Sequence, residues 1–248
     1  MAAWFDKNHL YILLAIGIIF TFVCLYYFRA VLKLNILAAV VVALLCTGIG
    51  LYLVRAFAFM EGNKNKGAMS LFGGVLFMPV FFLLGAKITK RSMQKVCDVL
   101  TPAMLFTMAL TRVNCLISGC CIGKVIPFFN NTTLRWLNRE IELVYYLLML
   151  LLCFSADRQF YLGKEPLFLR EKGKILTDKV FVSGSLYPLY MMSYGVLRFI
   201  LEFIRQKAET TVFHLSHLWA ILACGIGALF YFQLRAEERI KAKKKKRK

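Results

Sequence analysis

Residues 34–54 read LNILAAVVVALLCTGIGLYLV, and this run, Leu34–Val54, holds no charged side chain. A helix needs roughly 20 mostly apolar residues to cross a bilayer, because backbone amides cannot go unpaired in hydrocarbon. Six further segments approach that length: Leu10–Phe28, Met69–Ala86, Val99–Ile117, Ile141–Phe154, Leu186–Ile204 and Phe213–Phe232. Ile141–Phe154 is the shortest. The pattern predicts an all-α, polytopic integral membrane protein of about seven transmembrane helices over residues 1–240, with a polybasic tail at 241–248.

Composition agrees with that reading. Of 248 residues, 60% are hydrophobic, and 22 Phe stand against only 13 acidic side chains, too apolar for a soluble core. Ser155–Ser185 is charged and only modestly apolar, so no soluble domain is expected between the helices. The first run is followed by Tyr26, Tyr27, Phe28 and Arg29 rather than by a small-residue cleavage site, and reads as a retained helix.

Charge sets the orientation. The net charge of +19 is concentrated at the end, where every residue from Lys241 to Lys248 except Ala242 is basic. Such a tail directly after a span anchors at anionic cytoplasmic headgroups, at about 1 kcal/mol per charge. That reading leaves no need for a nucleic-acid partner. With seven spans the N-terminus then lies outside and the C-terminus is cytoplasmic. The inside segments carry more than twice the Lys and Arg of the outside ones, as topology rules require.

An ionisable residue within a span costs about 2.5–3.5 kcal/mol on insertion scales, so each needs an explanation. Arg112 falls late in the fourth segment; Arg198 and Glu202 fall in the sixth, which Arg205 closes. At about 1.5 Å rise per residue, Arg198 lies roughly 10 Å below the outer boundary. The i,i+4 and i,i+3 spacings put Arg198, Glu202 and Arg205 on one face. An interhelical ion-pair network that fixes packing is one reading. A cationic pocket for an anionic lipid headgroup is the other, favoured because three arginines oppose one glutamate and guanidinium grips phosphate with two prongs. Gly73, Gly74, Gly119, Gly123 and Gly195 fall toward the same level, where glycine also serves close helix packing.

Three stretches carry a resemblance. Ser70-Leu71-Phe72-Gly73-Gly74, then Arg112–Lys124 (RVNCLISGCCIGK), then Tyr194–Arg205 (YGVLRFILEFIR) are similar in order and spacing to the bacterial prolipoprotein diacylglyceryl transferases, over about 69–232. The resemblance implies a seven-span enzyme of the bacterial plasma membrane. It implies transfer of diacylglycerol from phosphatidylglycerol to the cysteine thiol of a lipoprotein precursor, with release of glycerol phosphate. The expected partners are therefore phosphatidylglycerol or another anionic phospholipid, and a thiol acceptor; no cofactor and no metal are implied. Arg112 matches the arginine that engages the lipid phosphate. Gly119 and Gly123 match the signature glycines, and Arg198, Glu202 and Arg205 match sixth-helix residues. Gly73, Gly74, Glu142 (within Glu140–Tyr145), Tyr194 and Gly195 are then expected at the substrate site. The chain departs from the family pattern at Phe72, where a histidine belongs. Asn114, Cys115, Ser118, Cys120 and Lys124 replace glycine, two asparagines, glutamate and arginine.

Eight cysteines occur. Cys24, Cys46, Cys153 and Cys224 lie in apolar runs, where cysteine behaves as a small hydrophobe. Cys97 falls at the cytoplasmic edge, where thiols stay reduced. Cys115, Cys120 and Cys121 sit in the signature stretch beside Arg112 and Lys124, and three readings stay open for them. They are packing residues, or Cys115 forms a disulfide with Cys120 or Cys121, or a thiolate is used chemically. Cys120, at the family's glutamate position, is the nominee for a direct chemical part. Zinc is the least favoured use, since a fourth ligand would have to come from His214 or His217. Two functional alternatives accompany the transferase reading: a divergent relative with another acceptor or with cysteine chemistry, and a non-catalytic lipid-binding membrane protein.

Overall fold

The computed structural model describes residues 2–60, 70–126, 134–165, 167, 180–206, 213 and 215–246. His214, Lys64, Lys66, Lys207 and the charges of 168–179 and 247–248 lie outside the described residues. The helices are α1 (Ala2–Tyr27), α2 (Arg29–Leu32), α3 (Ile36–Met60), α4 (Leu71–Thr89), α5 (Met93–Ile117), α6 (Asn138–Leu162), α7 (Leu186–Ile204) and α8 (Leu215–Lys246). Apart from the single turn α2, each coincides with one of the seven apolar segments. The described residues hold no named strand and two isolated antiparallel bridges, so the fold is all-α.

Four stretches are long and apolar enough to cross a membrane: Ile36–Met60, Phe72–Thr89, Met93–Ile117 and Leu215–Ile240. The apolar part of α1, Tyr11–Tyr27, is shorter. In α6 and α7, buried Glu142, Asp157, Arg198 and Glu202 lower the hydropathy while facing inward. Leu37, Tyr52, Val144, Ile200 and Leu229 are instead exposed on the outside. That inversion suits hydrocarbon as solvent, which accepts apolar side chains and rejects unpaired charge.

The fifth segment proves longer than its apolar run. Helix α6 continues through Ser155, Asp157 and Arg158 and stops only at Gly163, whose φ of 61° closes the helix in the left-handed region. Loss of apolarity at Phe154 marked a change of surroundings, not the end of the helix.

Helix α5 is the central post, in contact with α1, α4, α6 and α7, while α7 packs most extensively on α8. The register of α7 is set from below. The Asp98 carboxylate on α5 accepts the backbone N–H of Gly184 at 2.6 Å and of Leu186 at 3.2 Å, and the Tyr161 hydroxyl of α6 at 2.7 Å. A carboxylate at a helix N-terminus satisfies donors that the helix leaves open. Higher up, Tyr145 of α6 meets Ser193 of α7 at 2.6 Å. Tyr146, Tyr190 and Tyr194 are fully buried and stack into a column, with centroids 6.0 Å apart for Tyr146–Tyr194 and 5.6 Å for Tyr190–Tyr194.

The α7–α8 contact depends on Gly195. A Cβ there would fall 2.6 Å from the Ala220 carbonyl oxygen and 2.8 Å from the Cys224 backbone nitrogen. Neither backbone atom moves without its helix, so Gly195→Ala is expected to cost about 1–3 kcal/mol through overpacking. Thermal unfolding in detergent measures this; an unchanged midpoint would reject the close approach.

Candidate lipid-headgroup and thiol site

Helices α1, α3, α4, α5 and α7 enclose a cavity of about 510 Å³, within the usual range for ligand sites. Its long wall is α5, from Leu100 to Cys115. That is about 22 Å of helix at 1.5 Å per residue, most of a hydrocarbon core of roughly 30 Å. Met78, Phe81, Phe82, Leu100 and Met104 make the part farthest from the arginines apolar. Polar groups gather at the other end, where α5 stops: Arg112, Cys115, Cys120, Cys121, Arg198 and Arg205.

The arginines are joined by carboxylates behind them. Glu142 of α6 bridges Arg112 of α5 and Arg198 of α7. Arg198 also meets Glu202 at 2.9 Å, and Glu202 meets Arg205 at 3.8 Å. Arg112 and Arg198 are 4% exposed and Glu142 is fully buried, whereas the Arg205 side chain is 27% exposed at the mouth. The sequence put three arginines against one glutamate. The structure adds Glu142 to the network, so one positive charge is left over. The guanidiniums of α5 and α7 nevertheless converge on one cavity. Phe72 packs against one of them, with the Arg198 guanidinium 5.8 Å from its ring centre, and the Tyr194 ring lies 6.0 Å away at a tilt of 57°.

The cysteines are brought together by a chain reversal. After Ile117 the helix ends, Gly119 takes φ 65° and Cys121 takes φ 58°. The Cys120 amide bonds back to the Cys115 carbonyl at 3.2 Å. Arg139 of α6 clamps the turn, reaching the Cys115 carbonyl at 3.3 Å and the Cys120 carbonyl at 3.2 Å. All eight cysteines are free thiols. The sulfurs of Cys115, Cys120 and Cys121 lie within 4.8 Å of one another. Arg112 approaches the Cys115 sulfur at 3.8 Å, and Arg205 the Cys121 sulfur at 3.4 Å. Hydrogen bonds from the Cys115 and Cys120 thiols, aided by the Arg205 and Arg112 charges, pull the Cys121 thiol well below the usual thiol range despite its burial.

A short backbone ladder fixes this turn to α7. Lys124 N–H bonds to the Ile204 carbonyl at 2.7 Å, Gln206 N–H to Ile122 at 3.0 Å, and Trp136 N–H to Lys124 at 3.0 Å. Gly123 lies inside the ladder, where a Cβ would meet the Trp136 carbonyl oxygen at 2.2 Å, so only glycine fits.

The remaining sequence-predicted residues take varied places. Gly74 and Tyr194 line the cavity. Gly73 packs on α3 at Leu53 and Phe57, and Gly195 packs on α8. Glu142 and Glu202 stand behind the arginines, Lys124 is exposed, and Ser118 faces the His9 ring at 3.4 Å. His217 is enclosed by Phe199, Phe203 and Phe213, away from the thiols. Sequence reasoning missed Arg139 and His9. Each is a polar residue at the head of an apolar segment, which is the signal that marks them.

A family profile for prolipoprotein diacylglyceryl transferases matches residues 12–233. The chain belongs to the prolipoprotein diacylglyceryl transferase family. The match begins well before the Ser70–Gly74 stretch, so α1 and α3 share the family pattern. Among curated members, the chain is 27% identical over 150 residues to a phosphatidylglycerol-prolipoprotein diacylglyceryl transferase of Klebsiella pneumoniae, covering 56% of this chain and 52% of that one. Enzymes of the same name from Escherichia coli O1:K1 and Clostridium tetani are 28% and 24% identical. The Escherichia coli match covers 56% of this chain and 52% of the relative; the Clostridium match covers 59% and 55%. The chain thus spans about half the length of the curated relatives it matches.

Proposed function

We propose that this family member is a phospholipid-dependent transferase that moves the diacylglyceryl group of phosphatidylglycerol to a cysteine thiol of a lipoprotein precursor, releasing glycerol phosphate. The observation that carries this reading is the convergence of Arg112, Arg198 and Arg205 at the polar end of an apolar cavity. A phosphodiester bears one negative charge, equal to the surplus of the arginine–glutamate network. As the bond between the diacylglyceryl carbon and the phosphate oxygen breaks, more negative charge develops on the phosphate. Guanidiniums already held by Glu142 and Glu202 stabilise it without reorganising. Glu202 and Glu142 orient arginines in this scheme.

All seven long helices span the membrane in the proposed topology, with the N-terminus and the arginine end outside. Residues 241–248 then lie at anionic headgroups on the cytoplasmic side of a bacterial plasma membrane. Purified protein incubated with labelled phosphatidylglycerol and a thiol peptide is expected to release labelled glycerol phosphate. Absence of release with lipid bound would turn the reading into that of a lipid-binding protein. The clustered thiols favour one second reading, the same scaffold serving a different thiol acceptor. Mass spectrometry of the modified acceptor separates the two.

A further inference from the structure

The polar end of the cavity presents three guanidiniums and three thiols but, among the described residues, its wall holds no carboxylate or imidazole that could take a proton from an acceptor thiol. Yet thiols attack carbon as thiolates. We propose that Cys115, Cys120 and Cys121 form a three-thiolate site for a thiophilic divalent ion such as zinc, whose fourth position opens to the cavity and binds the acceptor thiol as thiolate. This rests on the transferase reading for its role, though not for the site.

The geometry points to metal on several counts. Three sulfurs from a C-x4-C-C sequence lie within 4.8 Å of one another, and those of Cys115 and Cys121 are 4.0 Å apart. Tetrahedral zinc with bonds of about 2.3 Å holds its sulfurs about 3.8 Å apart, so closure needs shifts of an ångström at most. The backbone is shaped for that convergence. A straight helix would send positions 115, 120 and 121 in different directions. The reversal at Gly119 and the left-handed Cys121 fold the pair back over Cys115. A non-glycine residue in that region is strained, and the Arg139 clamp on two carbonyls holds it there.

Three thiolates around a divalent ion carry one net negative charge, and Arg112 and Arg205 already face two of the sulfurs. Among the described residues the group has three protein ligands. Three ligands and one open position are the arrangement of reactive zinc rather than structural zinc. All three cysteines line the cavity that holds the arginines, so a bound thiol and a bound phosphate would share it.

The chemistry balances without a redox partner. The acceptor thiol coordinates and loses its proton to water, since a metal-bound thiol is deprotonated outright. Its sulfur lone pair forms a bond to the phosphate-bearing carbon of the diacylglyceryl moiety as that carbon's bond to the phosphate oxygen breaks. The bonding pair leaves with the phosphate, which the arginines hold and which regains a proton from water. The product thioether is neutral, a weaker ligand, and dissociates.

The test uses the full chain in detergent, stripped with a chelator and titrated with Zn²⁺ or Co²⁺ alone. One Zn²⁺ per chain is expected, Co²⁺ should give thiolate-to-metal charge-transfer absorption, and zinc should protect Cys120 and Cys121 from maleimide. Loss of a ligand should exceed the roughly 10–100-fold cost of outer-shell changes, so Cys115→Ser, Cys120→Ser and Cys121→Ser should each weaken zinc binding by more than that. Maleimide protection reads the wild-type chain and does not depend on variant folding. Absence of metal binding, or a Cys115–Cys121 disulfide in its place, overturns the site. Equal thioether formation by stripped and zinc-loaded protein overturns the role and leaves the transferase reading intact. Zinc binding without phosphatidylglycerol turnover in the loaded protein removes the transferase reading and keeps the metal site.

Discussion

Arg198→Ala and Arg112→Ala are each expected to slow glycerol phosphate release by about 10²–10³-fold, the usual cost of removing one donor aimed at developing negative charge. Single-turnover release from labelled phosphatidylglycerol measures it. The two arginines come from α7 and α5, and both line the cavity with 4% exposure. Arginine-to-lysine changes at either site keep the charge and lose the two-pronged grip, so they should fall between wild type and alanine. A simple packing role predicts otherwise: lysine and alanine would alter unfolding while leaving the rate per folded molecule unchanged. That result would remove both residues from the chemistry.

Glu142→Ala is expected to show the largest stability loss of any single change in the site. Its carboxylate bridges Arg112 and Arg198, and its side chain is 1% exposed. Removing it leaves two buried guanidiniums facing each other without their shared counter-charge. Breaking a buried pair in this way costs about 3–5 kcal/mol. Glu142→Gln keeps the shape and should recover little, because charge rather than volume is missing. Thermal unfolding in detergent, with phosphatidylglycerol added in a parallel series, checks the prediction. Added lipid should rescue part of the loss, since its phosphate supplies the missing negative charge. A variant as stable as wild type would mean that the arginines do not depend on Glu142.

Much of the bundle was legible in the chain because bilayer crossing imposes length and apolarity, which are local properties. Leu34–Val54 coincides with α3 from Ile36 onward, with no tertiary information needed. The Arg198–Glu202–Arg205 face was legible for the same reason, since its spacing lies within one helix. The Glu142 bridge was not. Its partners lie on α5 and α7, and no periodicity links positions 112, 142 and 198. The three thiols were flagged by crowding in the signature stretch, yet their meeting depends on positive φ at Gly119 and Cys121, which residue types alone did not disclose. The end of α6 was misjudged because Asp157 is polar and buried at once. His9 was marked by its place at the head of an apolar segment, but its partner Ser118, 109 residues away, was not legible from the chain.

The backbone ladder among Ile122, Lys124, Ile204 and Gln206 makes the cysteine turn and the Arg205 end of α7 one mechanical joint. A displacement of the backbone at Arg205 is transmitted through these bonds to the turn that carries the sulfurs, and the reverse. Binding that moves one end alters the affinity at the other by the same factor, as linkage demands. In the proposed transferase, headgroup capture and thiol geometry would be linked through this one joint.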